Sequence, residues 1–119
     1  MPEHVHLMLV PNLPRCPVPA ILKELKEPFA RAVISRWKSL GAPILTRLVD
    51  SRQQTRFWQR GGGYDRNIVS EKELFEKLSY IHTNPVTRGL VERPTDWKWS
   101  SARAYAGEAD VLIKVEPII

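Results

Sequence analysis

The residues with the clearest chemical potential lie far apart in the chain: His4-Val5-His6 near the start, and Tyr80 and Asn84 within Tyr80-Ile81-His82-Thr83-Asn84-Pro85-Val86. On a strand, residues i and i+2 face the same way, so His4 and His6 would present two imidazoles side by side, a spacing suited to one divalent metal. Tyr80 and Asn84 stand one helical turn apart and share a flank with Glu73 and Lys77. A phenol with its ordinary pKa of about 10 is a poor nucleophile at neutral pH, and needs its target polarised or its proton removed. A metal beside it would polarise the target.

The elements that must hold these groups follow from the surrounding pattern. Val5, Leu7 and Leu9 alternate with His4, His6 and Met8 until Pro11 and Pro14. That period of two predicts a strand with its apolar side on the core and its histidines on the opposite side. Ser70 followed by Glu73 reads as a capping box that opens a helix, and Leu74, Phe75, Leu78 and Ile81 form its apolar stripe. Tyr80 lies off that stripe, which favours a chemical role over packing. His82 falls toward the apolar edge and reads as a packed or surface histidine rather than a ligand.

From Val18 to about Lys38, the residues Val18, Ile21, Leu22, Leu25, Phe29, Val33 and Trp37 form one apolar face of a helix, with Lys23, Lys26, Arg31, Arg36 and Lys38 around the rest. Pro28 lacks a backbone donor and disfavours the helical conformation at Glu27, so a kink or two shorter helices is expected. Ile44 to Val49 suits a short strand or helix, Ser51 to Arg56 a turn between strands, and Phe57-Trp58-Gln59-Arg60 a strand entering Gly61-Gly62-Gly63. Arg56, Arg60 and Arg66 around Trp58 and Tyr64 would suit single-stranded DNA, where rings stack on bases and guanidinium groups meet phosphates; a core tryptophan among solvated arginines explains the same pattern. The glycines lack the residues of a nucleotide-binding loop. Near the end, Arg93 to Asp96 predicts a turn and Trp97 to Ala102 a short helix, with Trp97 and Trp99 sealing the core.

Composition sets the bounds. At 119 residues and 43% hydrophobic content, the chain suits one domain over 1–119. Its 18 Lys and Arg against 13 Asp and Glu give a net charge of +5, which suits a polyanionic partner. A single cysteine, Cys16, excludes an intramolecular disulfide and argues against a zinc site built on thiolates. No apolar run approaches the ~18 residues of a membrane span and no signal-peptide pattern is present, so no membrane association and a cytoplasmic, nucleoid-associated location are expected.

Taken together, Pro2-Glu3-His4-Val5-His6-Leu7, Arg56-Phe57-Trp58-Gln59, Tyr80-Ile81 with Asn84-Pro85-Val86, Gly89-Leu90-Val91 and Asp96-Trp97-Lys98-Trp99-Ser100-Ser101 resemble the HUH single-tyrosine transposases, particularly the REP-associated tyrosine transposases. The similarity runs from about residue 1 to 105, leaving 106–119 as a tail. The resemblance implies an α+β fold, a ferredoxin-like antiparallel sheet packed with helices. In the family the histidine strand follows an opening strand and helix; here it begins the chain, so an N-terminally truncated version is expected. Its histidine strand would be an exposed edge open to pairing with a second copy.

By position, the resemblance makes Tyr80 the nucleophile and His4, His6 and Asn84 the ligands of Mg²⁺ or Mn²⁺. The implied activity is cleavage and rejoining of single-stranded or hairpin DNA through a covalent 5′-phosphotyrosine link, with Arg56, Trp58, Arg60, Arg66, Lys77 and Arg88 as DNA contacts. Monomer and homodimer are both compatible with it. The alternative is a catalytically inactive, truncated relative that serves only as a DNA-binding module. A hydrolase using only the histidine pair is a remote third reading, since no carboxylate base accompanies the pair in sequence.

Overall fold

Pro17 precedes the first helix without side-chain capping, and the apolar face read from the sequence then runs through a single helix, α1, Val18–Ser39. A computed structural model describes residues 1–61 and 63–118. α1 is followed by a 3-10 helix at Pro43–Arg47, by α2 at Glu71–Thr87, by a short 3-10 turn at Pro94–Asp96, and by α3 at Ala102–Tyr105. Pro28 sits inside α1, which continues past it as one element of 22 residues, so the expected division into two helices does not occur. No helix among the described residues is long and apolar enough to cross a membrane.

The expected ferredoxin-like antiparallel sheet is absent from the described residues. Strand-type pairing is confined to one isolated antiparallel bridge, Val49 with Thr55. The reason is visible at the histidine segment, which is irregular by hydrogen bonding and finds no partner: none of the described backbone bonds outside helices involves residues 1–9. An alternating sequence supplies one side of a ladder, and without a neighbouring chain at hydrogen-bonding distance it forms no sheet. Pro11, Pro14 and Pro17 then deny backbone donors to the continuation. Phe57 to Arg60, read as a strand, is likewise irregular: its aromatic side chains pack on α1 while its backbone forms no ladder among the described residues.

The chain divides into two compact units, one formed by Met1–Leu9 with Asn67–Ile119, the other by Val10–Arg66. In the first, α2 begins at Ser70, whose hydroxyl accepts from the Glu73 N–H at 3.1 Å while a Glu73 carboxylate oxygen accepts from the Val69 N–H at 3.3 Å. This is the capping exchange read from the sequence, displaced by one residue on the return bond. Leu78 and Ala102 form its buried apolar centre and Asn84 and Pro85 are also buried, whereas Phe75 is exposed. Trp99 does not seal this core, since 71% of it is exposed. His82 packs as its position on the helix predicts: its Nε2 meets the Ser101 hydroxyl at 2.9 Å and its ring lies 5.2 Å from that of Tyr105. Burial depresses its pKa.

The second unit is held by aromatic contacts to α1. Phe57 packs on Phe29 at 5.3 Å and on Trp37 at 5.7 Å between ring centroids, and Trp58 lies 5.0 Å from Phe57. The Trp58 indole N–H donates to the Lys26 carbonyl at 3.0 Å, while the Lys26 ammonium stands 5.6 Å from the indole centroid. The indole thus satisfies its N–H on the helix backbone two residues before Pro28.

Candidate active site

The first unit brings the four residues singled out for chemistry onto one flank of α2. His4 and His6 meet through their Nε2 atoms at 3.0 Å, with the rings nearly perpendicular. The Asn84 side-chain amide lies 3.0 Å from the same His6 Nε2, across 78 residues of sequence. The Tyr80 ring packs edge-on against His6 with centroids 5.6 Å apart. Tyr80 remains 56% exposed, so its hydroxyl is open to a ligand from solution, whereas Asn84 is only 8% exposed and fixed.

The histidine segment is turned the opposite way from the expected one. The alternation predicted that Val5 and Leu7 face the core and the histidines face away. Instead His6 lies on α2 with His4 beside it, and Val5 and Leu7 are 62% and 54% exposed. The His6 imidazole has partners on the helix, Asn84 and Tyr80. The burial of His6 and the neighbouring His4 together lower the His6 pKa, burial contributing most. Its neutral form, the one that can offer a lone pair, is therefore favoured.

The donor geometry fits a small divalent ion. Two ligands in adjacent positions of an octahedron with bonds of about 2.1 Å stand about 3.0 Å apart. Both contacts at His6 Nε2, to His4 and to Asn84, have that separation. One Nε2 of the histidine pair donates to the other when no ion is bound, and with the proton of each ring on Nδ1 the two Nε2 lone pairs are free for a shared cation. Rotation of the Asn84 amide presents its oxygen to the same point. No set of three His, Cys, Asp or Glu side chains among the described residues has metal-holding geometry. An ion at this position would thus have two imidazoles and an amide, with water completing its shell.

A neighbouring contact was not foreseen. Glu3 accepts a hydrogen bond from the Arg88 guanidinium, and the same Glu3 oxygen stands 3.4 Å from His4 Nδ1. Arg88 lowers the Glu3 pKa through that bond, against the opposing effect of desolvation. Glu3 lies inside the block Pro2 to Leu7, but its partner is 85 residues away, and no local signal announces such a pair.

The remaining predicted DNA contacts divide between the two units. Arg56 pairs with Asp50, and Arg60 reaches the same carboxylate at 3.8 Å. Asp50 also accepts from the Arg52 and Gln54 N–H groups at 2.8 and 3.0 Å, which closes the turn and, with Arg56 contributing most, holds its pKa at about 2. Trp58 belongs to the aromatic packing of the second unit, and Arg66 lies in the irregular stretch before α2. Lys77 is half-buried on α2, one turn before Tyr80, and Arg88 is engaged with Glu3.

Comparison with known proteins adds one likeness. The chain is 29% identical over 103 residues, 85% of its length, to a Haemophilus influenzae protein provisionally named a REP-associated tyrosine transposase. It spans about half of that curated relative, 54% of its length. No family model matches the chain, and no solved structure matches it. The chain is thus similar to a protein of the group its motifs resemble, and the aligned part is a portion of that protein.

Proposed function

We propose that the chain is the catalytic portion of a tyrosine transposase, which cleaves and rejoins single-stranded or hairpin DNA with Mg²⁺ or Mn²⁺ at His4, His6 and Asn84. One observation carries the reading: a solvent-open tyrosine stands beside a convergent His-His-Asn set drawn from both ends of one compact unit. The likeness to the Haemophilus influenzae protein supports the same class.

In this reading the Tyr80 oxygen attacks the scissile phosphorus. The bond from phosphorus to the 3′-oxygen breaks, the phenolic proton is lost to solvent, and the departing strand takes up a proton as a free 3′-hydroxyl. The 5′-phosphate stays on Tyr80. The number of phosphoester bonds is unchanged, so reversal by a 3′-hydroxyl rejoins the strand without a nucleotide cofactor. A bound divalent ion supplies charge withdrawal from the phosphate oxygens. His6 and Asn84 fix the binding point against α2, and the edge-on contact of His6 with the Tyr80 ring restricts the arc of its phenol. Lys77 stands one turn before Tyr80 on α2, where its ammonium is a candidate partner for a DNA phosphate.

The test is incubation of the chain with end-labelled hairpin DNA and Mn²⁺, followed by denaturing electrophoresis. A metal-dependent covalent adduct is expected, and none with Tyr80→Phe. Salt-sensitive binding with no adduct at any metal concentration would leave a DNA-binding module in place of the enzyme.

A further inference from the structure

We infer that Glu3 is a positioning residue for His4, held in place by Arg88, so that α2 fixes the metal-facing nitrogen of a histidine it does not itself touch. The inference rests on the proposed metal site and goes beyond its ligands.

The geometry begins with α2. Tyr80, Asn84 and Arg88 recur every four residues, which keeps them on one side of the helix and about 6 Å apart along it. Each has a counterpart on the histidine segment: Arg88 binds Glu3, Asn84 meets His6, and the Tyr80 ring packs on His6. The segment therefore runs antiparallel to the helix. Glu3 to His6 spans about 10 Å when extended, against about 6 Å from Arg88 to Asn84, a difference that the long Arg88 and Glu3 side chains bridge.

The chemistry lies at His4. An imidazole bound to a metal through Nε2 must carry its proton on Nδ1. The Glu3 carboxylate stands 3.4 Å from that Nδ1, where its negative charge favours the tautomer with the proton on Nδ1 and a lone pair on Nε2. His6 Nε2, 3.0 Å from that atom, marks where the lone pair points. Glu3 is half-exposed, and without Arg88 a side chain of its length would sample many rotamers. Arg88 removes that freedom: its own backbone is pinned at the end of α2, where its N–H donates to the Asn84 carbonyl at 3.0 Å. The same residue that closes the helix below Asn84 thus orients the carboxylate behind His4. A cation at the C-terminal end of a helix is also favoured by the helix dipole.

The experiment measures Mn²⁺ affinity by electron paramagnetic resonance for the wild-type chain and for Glu3→Ala, Glu3→Gln, Arg88→Gln and, as a control that removes one negative charge elsewhere, Glu92→Ala. It also reads the His4 tautomer in the metal-free chain by ¹⁵N nuclear magnetic resonance. Expected are a loss of about tenfold to a hundredfold in Glu3→Ala, a smaller loss in Glu3→Gln, which keeps an acceptor, a loss in Arg88→Gln, and no change in Glu92→Ala. His4 should carry its proton on Nδ1 in the wild type and redistribute it in Glu3→Ala. Equal affinity in Glu3→Ala and wild type, an equal loss in Glu92→Ala, or an unmoved tautomer would each overturn the role of Glu3 while leaving the metal site standing. A wild-type chain that binds no Mn²⁺ would instead overturn the proposed function on which the role depends.

Discussion

The two units of this chain use their polar groups in opposite ways. In the unit of Met1–Leu9 and Asn67–Ile119, a polar side chain, Asn84, is among the most buried and faces the histidine pair. In the unit of Val10–Arg66, α1 contains no fully buried residue, the contacts are between aromatic rings, and the best-connected polar group, Asp50, closes a turn. Burying an amide costs free energy unless its hydrogen bonds are met, and a unit with so few buried residues keeps one only where surrounding groups satisfy it. The contrast teaches where chemistry is concentrated: aromatic packing holds the second unit, while the first places a rigid polar group next to an exposed phenol.

The largest effect that tests this contrast is at the ligands. His6→Ala should abolish measurable Mn²⁺ binding and with it the covalent DNA adduct, because both 3.0 Å contacts run through His6 Nε2. Next is Asn84→Leu, which keeps the branching at Cγ but lacks the amide. It should lower Mn²⁺ affinity at least tenfold while changing thermal stability little, since an apolar side chain also fits a buried position; a large stability loss with unchanged metal affinity would mean that Asn84 is structural.

A packing variant comes third. Trp58→Ala removes the indole from Phe29, Phe57 and the Lys26 carbonyl, and should destabilise its unit by about 2 kcal/mol, less than a fully buried tryptophan would. Mn²⁺ affinity should remain within about twofold under native conditions, because no proposed ligand lies in that unit. A collapse of metal binding in this variant would break the distinction between the two units.

The smallest effect is electrostatic. Asp50 has a pKa held at about 2, below its ordinary value, so the charged form is preferred in the folded chain. The stabilisation is present above the unfolded carboxylate range near 4 and is lost as pH falls toward 2. Denaturant titrations of Asp50→Asn should therefore show a shallower fall of stability between about pH 4 and 2. The wild-type slope should also weaken in high salt, since Arg56 is largely solvent-accessible.

How legible this was in the sequence differs by element. The α2 boundary was readable, because Ser70 and Glu73 act locally and the hydroxyl bond from Glu73 N–H forms. So was the flank of Tyr80 and Asn84, since helical period alone places it. The sheet was misread for a physical reason: alternation at residues 4 to 9 specifies two faces but not a neighbouring strand, and the described chain provides none. The same alternation misassigned the inner face, because it weighs Val5 and Leu7 by hydrophobicity and cannot know that Asn84 and Tyr80 await on the helix. Pro28 was expected to kink or divide α1, and it does not divide it, because apolar and aromatic residues continue the packing face on both sides of it. The Arg88 to Glu3 pair was invisible for want of any local pattern.

The outward turn of Val5 and Leu7 has a final consequence. Because side chains alternate, moving the histidine segment by one residue along α2 would exchange its two faces. Valine and leucine would be buried, a gain of roughly 1.5–3 kcal/mol for each if complete, and both imidazoles would leave Asn84. Hydrophobicity thus pulls toward the wrong alignment, and the observed one is locally frustrated. It is opposed by two polar ties across to the helix, Glu3 to Arg88 and His6 to Asn84. These contacts act as a ratchet that prevents slippage, and any ligand that binds only the aligned state would tighten it by mass action.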